Sequence, residues 1–351
     1  MTNIVYIQDF LTTNYESQVI SFITEHIPLE FISDENYVLI EDAHRLENLK
    51  DTNHYNLVVS SLLLNDFVDV NQSLVKIHNS LRPGGKFIGR VKTLHHRKRR
   101  IASFHNKFSY KVIILYEFIF KRVLPKLPVL RHVYRRFGII KHHILSKCEA
   151  LGRLRYCGFE ISNLKETDKY LYFIAFKNLQ PLNEKPCDGI LIKIPKVGED
   201  GRTIYCYKLR TMHAYANFLH DYILNNHQID NEGKVISDFR TPGWGKFLRK
   251  TWLDEMPQLL NIIKGDLYFI GLRPLSREFL SLYPEEWREV RVKIKPGFVP
   301  PYYADCPKSF EEIIESEKRY YEAWKKHPSK TNFIYFWKVV LNFVIGRART
   351  G

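Results

Sequence analysis

The first absence is glycine. The chain has 351 residues, and none before Gly84 is a glycine. An α/β layer that cradles a nucleotide-like cofactor needs a glycine-rich turn after its first strand, where backbone N–H groups can approach the ligand. Residues 1–90 are therefore not expected to bind one. Cysteine is also scarce, with five residues (148, 157, 187, 206 and 306) and no C-x-x-C pair. That pattern argues against a disulfide framework or a zinc site and fits a reducing compartment. The N-terminus, MTNIVYIQDF, has no basic stretch leading into an apolar run and a small-residue cleavage site, so no signal peptide is expected. No uncharged apolar run reaches about 18 residues, which excludes an ordinary transmembrane helix without excluding membrane contact.

Negative charge is missing from one region. Residues 91–150 hold 15 basic and 2 acidic side chains, a local +13. Residues 1–90 hold 6 basic and 12 acidic (−6), and residues 151–351 hold 32 basic and 24 acidic (+8). One block thus carries most of the net +15, and a polyanionic partner should meet the protein there. The rest of the composition, 45% hydrophobic and 26% charged, is that of a chain able to bury a core.

Tyr37–Ile40 and Leu57–Leu64 read as strands, Val70–Leu81 has helical spacing, and Arg82-Pro83-Gly84-Gly85 turns into a strand at Lys86–Gly89. Leu81–Phe87 (LRPGGKF) resembles the late Pro-Gly-Gly turn and strand of class I methyltransferases. Glu149–Phe159 (EALGRLRYCGF) resembles their next helix and turn, followed by a strand pair to Phe176. The resemblance implies a methyltransferase-like α/β domain over 1–180. Without the glycine-rich turn, a degenerate scaffold is the expectation, and an unrelated α/β layer stays open.

Residues 93–146 interrupt that layer. His95-His96-Arg97-Lys98-Arg99-Arg100 opens the insert, Val112–Phe120 (VIILYEFIF) is apolar apart from Glu117, and Pro125 and Pro128 break the helix that follows. Three readings compete: a solvated basic face, a nucleic-acid face, and one-sided membrane insertion with cations on anionic head groups. The apolar content of 112–130 exceeds what a nucleic-acid face needs, and the membrane reading is preferred. A second apolar stretch, Phe333–Gly346 (FIYFWKVVLNFVIG), spans roughly 21 Å as a helix, too short to cross a bilayer. It reads equally as a buried helix or an interfacial one.

Pro181, Pro186 and Asp188-Gly189 mark a linker. A hairpin follows, with strands at Ile190–Lys196 and Thr203–Leu209 around a turn at 198–201, and then a helix and loop over Phe218–Gly233. Farther on, Pro257 is tolerated only in a first helical turn, so a helix carrying Gln258–Ile263 should begin near Leu253–Glu255. That puts Asp254 and Glu255 at a helix N-terminus, with Trp252, Leu253, Met256, Leu259, Leu260 and Ile263 spaced to face a core. Alone, the carboxylate pair reads as capping. Ringed by Lys208, Arg210, Arg249, Lys250 and Arg273, it reads instead as a divalent-metal and phosphate site.

These segments carry a second resemblance. Tyr207–Met212 (YKLRTM), Trp244–Pro274 (WGKFLRKTWLDEMPQLLNIIKGDLYFIGLRP) and Lys295-Pro296-Gly297 are similar to the signatures of the bacterial sugar transferase family, monotopic polyprenyl-phosphate sugar-1-phosphate transferases. The similarity runs from about Gly189 to the C-terminus, and the implied transferase domain covers 187–351. The whole chain is then expected to be an α/β N-terminal layer with an inserted basic amphipathic membrane segment, plus a mixed α+β monotopic phosphoglycosyl transferase domain.

The resemblance implies Asp254 as nucleophile on a nucleotide-diphosphate sugar, with UDP as the implied nucleotide, and polyprenyl phosphate as acceptor. It implies Glu255, with Asp254, as holder of Mg²⁺. Lys208, Arg210, Arg249, Lys250, Arg273, Pro274 and Lys295 are the implied phosphate-binding residues, and Lys264 and Asp266 are weaker candidates. The implied setting is the cytoplasmic face of a bacterial inner membrane, in contact with anionic lipids. Nucleic acid is not an expected partner, and an oligomer is left open. A non-catalytic basic scaffold or nucleic-acid-binding protein is the alternative. The sequence departs from the family where a re-entrant helix normally precedes the hairpin, at Ile194-Pro195-Lys196, at Leu272, and at Phe298–Asp305, a stretch that touches the sugar or nucleotide pocket.

Overall fold

The computed structural model describes residues 2–27, 36–50, 53–127, 130, 143–182, 189–226 and 238–347. Pro186, Asp188, Cys187 and the later part of the basic insert through Arg136 lie outside the described residues, as does most of the loop expected after Phe218. Two compact units form: residues 1–189 with 212–240, and residues 190–211 with 241–351. Residues 212–226 and 238–240, which a linear division assigns to the transferase domain, therefore fall within the first unit.

The first unit contains α1 (Thr2–Asn14), α2 (Ser17–His26), β1 (Tyr37–Ile40), α3 (Ala43–Glu47), β2 (Tyr55–Leu63), α4 (Val70–Ser80), β3 (Leu81–Val91), α5 (Leu94–Phe104), α6 (Lys107–Glu117), α7 (Lys147–Tyr156), β4 (Phe159–Glu166), β5 (Leu171–Lys177) and α8 (His220–Asn226). Its sheet has the order β1-β2-β3-β5-β4, parallel from β1 to β3 and antiparallel at β5 and β4. Strand alternation sends Leu57, Val59, Ile88, Tyr172 and Ile174 to one face, where Ile7, Leu11, Val19 and Ile23 cover them. Val58, Phe87 and Phe173 go to the other face, against Leu74, Ile77, Leu151 and Leu154, and Leu219 and Ile223 join them there. A sheet buried on both faces needs apolar residues at consecutive strand positions, which is why β2 reads as a continuous run.

The basic insert lies between β3 and α7, as expected. Asn65 ties its stem: its amide donates to the carbonyls of Lys92 (3.0 Å) and His143 (2.7 Å), and its Oδ1 accepts from the Lys92 N–H at 2.7 Å. Leu94 N–H donates to the Leu145 carbonyl at 2.8 Å beside it. Beyond α6 the helix widens over Phe118–Val123 and ends in a 3₁₀ turn at Leu124–Lys126, the break expected at Pro125. Phe104, Phe108, Val112, Leu115, Tyr116, Ile119 and Phe120 are exposed, Phe108 by 77%.

The second unit begins with the antiparallel hairpin β6 (Leu191–Val197) and β7 (Thr203–Leu209). It continues with α9 (Gly243–Lys250), a 3₁₀ turn at Met256–Gln258, α10 (Leu259–Ile263), β8 (Tyr268–Ile270), α11 (Arg277–Leu280), α12 (Glu285–Val292), β9 (Gly297–Val299), α13 (Tyr302–Asp305), α14 (Phe310–Lys326) and α15 (Pro328–Val344). Its core gathers Ile270, Leu272, Trp287, Val299, Ile314, Tyr320, Tyr335 and Val339. The last apolar stretch forms most of α15, which buries Tyr335 and Val339 and leaves Phe333, Trp337, Leu341 and Val344 exposed on the other side. Among the described residues, no helix is long and apolar enough to cross a membrane.

Candidate active site

The site is assembled by backbone. The Leu209 N–H, at the end of β7, donates to the carbonyl of Asp254 at 2.8 Å. The Tyr207 N–H donates to the Asn261 side chain (3.1 Å), which returns a bond to the Tyr205 carbonyl at 2.8 Å. Asn261 is fully buried and fastens α10 to β7. Gly245 sets the approach of α9: a Cβ there would lie 1.9 Å from the Thr211 carbonyl oxygen. That contact brings Arg249 to the Thr211 hydroxyl, Nε to Oγ1, at 2.9 Å.

The helical segment begins where expected, with Glu255 at its N-cap and Pro257 in its first turn, but it is shorter and less regular than a full helix. Asp254 and Glu255 sit in a turn over Thr251–Glu255, ahead of a single 3₁₀ turn and the five-residue α10. That is too little aligned backbone for a helix dipole to act on them. Trp252 reverses the chain there with φ of 59°, a left-handed conformation that costs a bulky residue about 1–3 kcal/mol. Its indole is held by Phe343 (ring centroids 4.2 Å apart) and Tyr303 (4.6 Å). The apolar residues expected to face a core do not all do so. Leu253, Met256, Leu260 and Ile263 are exposed, Ile263 by 82%, because the reversal at Trp252 turns this face outward.

Asp254 is 8% exposed, and Glu255 is half-buried beside it. Glu255 accepts from Lys208 Nζ at 2.5 Å and from Gln258 Nε2 at 3.4 Å. Burial pushes the Asp254 carboxyl above the usual carboxylate range; Glu255 adds to the rise, and Lys208 and Arg249 oppose it. Lys196 is a participant missed in the sequence. Burial, then the charges of Arg273 and Lys208, hold its ammonium below the usual lysine range. The only sequence signal was strand alternation, which puts Lys196 and Lys208 on one face of the hairpin.

The structure brings Asp254, Glu255, Lys208 and Arg249 together, with Arg273 acting on Lys196. Arg210 donates its backbone N–H to the Ile190 carbonyl at 2.7 Å. Lys250 is exposed and lines an apolar groove of about 520 Å³ with Trp252, Val299, Phe336, Val340 and Phe343. Pro274 is buried. Lys295 faces Glu199 (3.8 Å) and the Tyr268 ring, Lys264 bonds the Tyr207 hydroxyl, and Asp266 pairs with Arg202, so these three are engaged elsewhere.

The departing stretch after Lys295-Pro296-Gly297 supplies two further residues. Tyr302 Oη accepts from Arg273 Nη1 at 2.5 Å, and Tyr303 stacks against Trp252. The turn carrying Arg273 is braced from below. Arg291 donates to its carbonyl at 3.2 Å and forms a bidentate pair with Glu317, at 2.8 and 2.6 Å. Gly297 and Gly271 meet where β8 and β9 pair: a Cβ on Gly297 would lie 2.2 Å from the Gly271 nitrogen.

A divalent cation fits this chemistry. Asp254 and Glu255 are adjacent carboxylates, the hard oxygen donors that such an ion takes. No group of three or more candidate metal ligands occurs among the described residues. Magnesium is commonly held by one or two carboxylates with the substrate's phosphates completing its shell.

The family model described as Bacterial sugar transferase matches residues 173–341. The undecaprenyl-phosphate galactose phosphotransferase of Salmonella typhimurium is 35% identical over 107 residues, 29% of this chain and 22% of that protein. The UDP-glucose:undecaprenyl-phosphate glucose-1-phosphate transferase of Xanthomonas campestris pv. campestris is 29% identical over 140 residues, 37% of this chain and 27% of that protein. The chain thus spans under a third of the length of either relative. Among solved structures, an S-adenosylmethionine dependent methyltransferase from Mesorhizobium loti aligns over 37% of this chain and 66% of its own, at 20% identity and a TM-score of 0.24. The family match takes in Lys208, Arg249, Asp254, Glu255 and Arg273, the residues that the site brings together.

Proposed function

We propose that this chain transfers a sugar 1-phosphate from a nucleotide-diphosphate sugar, a UDP-sugar, to polyprenyl phosphate, and so starts an exopolysaccharide, lipopolysaccharide or capsule on its lipid carrier. The observation that carries the reading is the buried Asp254 carboxylate beside Glu255, Lys208 and Arg249, inside the sugar transferase match. A carboxylate oxygen of Asp254 attacks the β-phosphorus. The bond to the α-phosphate breaks, and the nucleoside monophosphate leaves with the electron pair. The acyl phosphate left on Asp254 is a reactive donor. An oxygen of the acceptor phosphate then attacks the same phosphorus and releases the Asp254 carboxylate.

Phosphoryl transfer needs mostly positioning and charge neutralisation. Arg249 is fixed by Thr211 and Arg273 by Tyr302, so both present forked guanidinium groups suited to phosphate oxygens. Lys208 and Lys196 add positive charge. Asp254 and Glu255 would hold Mg²⁺, which supplies further neutralisation at the diphosphate. Exposed apolar side chains on α15 and around Leu253–Ile263 in the second unit, and separately on α6 in the first, support a monotopic membrane seat, and the proposed setting is the cytoplasmic face of a bacterial inner membrane.

The test is nucleotide release. Purified protein in membranes with UDP-sugar, Mg²⁺ and undecaprenyl phosphate should release UMP, and Asp254→Asn should not. Equal release by both proteins would refute the assignment of the nucleophile.

A further inference from the structure

A second cationic site lies in the first unit, at the carboxyl end of β3, the edge of an α/β sheet where ligands gather. His96 builds it. The buried ring donates from Nε2 to the Thr167 carbonyl at 3.0 Å, and Nδ1 accepts from the Thr93 hydroxyl at 2.7 Å. This pins the first turn of α5 to the turn between β4 and β5. Arg99, Arg100 and Ser103 follow at i+3, i+4 and i+7 from His96, so they share its face of α5. That face, Lys92 and the turn residues Asp168, Lys169 and Tyr170 enclose an open cavity of about 450 Å³.

The charge there is unbalanced. Asp168 is the only acid lining the cavity, and Arg99 takes it at 3.0 Å. Lys92, Arg100 and Lys169 have no ion-pair partner among the described residues. Burial, then the charges of Arg100 and Arg97, hold the Lys92 ammonium below the usual lysine range. Lys92 is half-buried and Arg100 and Lys169 are exposed, and all three line the same hollow.

We propose that this cavity binds the phosphate group of an anionic ligand, with Lys92, Arg100 and Lys169 as its cations. A lipid head group and a soluble phosphate ester share that chemistry. The inference stands apart from the reaction assigned to Asp254, because none of these residues belongs to that site.

The experiment uses the full chain and two probes. One is inorganic pyrophosphate titrated by calorimetry. The other is flotation with phosphatidylcholine vesicles, with and without phosphatidylglycerol. The paired variant Lys92→Ala/Arg100→Ala should weaken binding to at least one probe by about tenfold or more. Lys325→Ala/Lys326→Ala, which removes the same charge from exposed positions at the end of α14, away from the cavity and from the basic insert, should stay within about twofold of wild type. Loss with vesicles alone assigns the phosphate to a lipid, and loss with pyrophosphate assigns it to a soluble ester. Lys169→Gln, at an exposed turn position, gives the same reading if the paired variant does not fold. Equal losses in the cavity and control pairs, no loss in the cavity variants, or no binding of either anionic probe by wild type would overturn the proposal.

Discussion

The Leu209 N–H and the Asp254 carbonyl are joined at 2.8 Å, so the end of the hairpin and the turn bearing both carboxylates move as one piece. Lys208 and Asp254 are next to that bond on either strand of the junction. Lys208 is therefore positioned to tune Asp254 as well as to pair with Glu255.

The pH profile should report this. Burial raises the Asp254 pKa, and a nucleophile must be ionised, so the acid limb of kcat/KM is expected above the usual carboxylate range. Lys208 opposes that rise. Lys208→Met should move the limb to still higher pH, along with any loss of phosphate binding. A limb that stays in place while the rate falls would mean that Lys208 acts on substrate alone.

The same carboxylate should cost stability. Its folded pKa lies above the unfolded value, so the folded state binds more protons and stability falls as pH rises between the two values. Above the folded pKa the cost is fully present. Asp254→Asn is therefore expected to raise the thermal midpoint at neutral pH while abolishing UMP release, with the gain shrinking as pH falls through the folded pKa and gone below the ordinary carboxylate pKa. A lower midpoint at neutral pH would contradict this.

Arg291 and Glu317 are 5% and 1% exposed at their side chains and form a bidentate pair under the Arg273 turn. Removing one partner of a buried pair leaves an uncompensated charge, and Glu317→Ala should cost about 3–5 kcal/mol in denaturant unfolding. A cost below about 1 kcal/mol would show that the pair does not brace the turn.

Gly297 and Gly271 permit the close pairing of β8 with β9. Gly297→Ala places a methyl against backbone that cannot yield cheaply, and a loss of about 1–3 kcal/mol is expected. The Arg273 turn follows β8 directly, so UMP release should fall as well. Unchanged stability and activity would show that the strands part without consequence.

Elements with regular alternation were legible in the sequence. β1 and β7 begin and end at the expected residues, and the insert's helix and proline break lie where the apolar run and Pro125 place them. The turn at 251–255 was not legible, because Trp252 takes a left-handed conformation that no local propensity favours, and this reversal exposes residues with core-like spacing. Asp254, Glu255, Lys208 and Arg249 were legible as a motif. Lys196, Tyr302, Tyr303 and Arg291 were not, since only the crossing of distant segments brings them to Arg273 and Trp252. The placement of residues 212–226 and 238–240 in the first unit is likewise tertiary, made by Ala216, Leu219 and Ile223 in that unit's core.

The central claim is the covalent intermediate. Protein incubated with UDP-sugar and Mg²⁺ but no acceptor, then quenched and digested, should yield the peptide bearing Asp254 with the added mass of one sugar phosphate, and Asp254→Asn should yield none. UMP release without that adduct, or an adduct on another residue, would contradict the account.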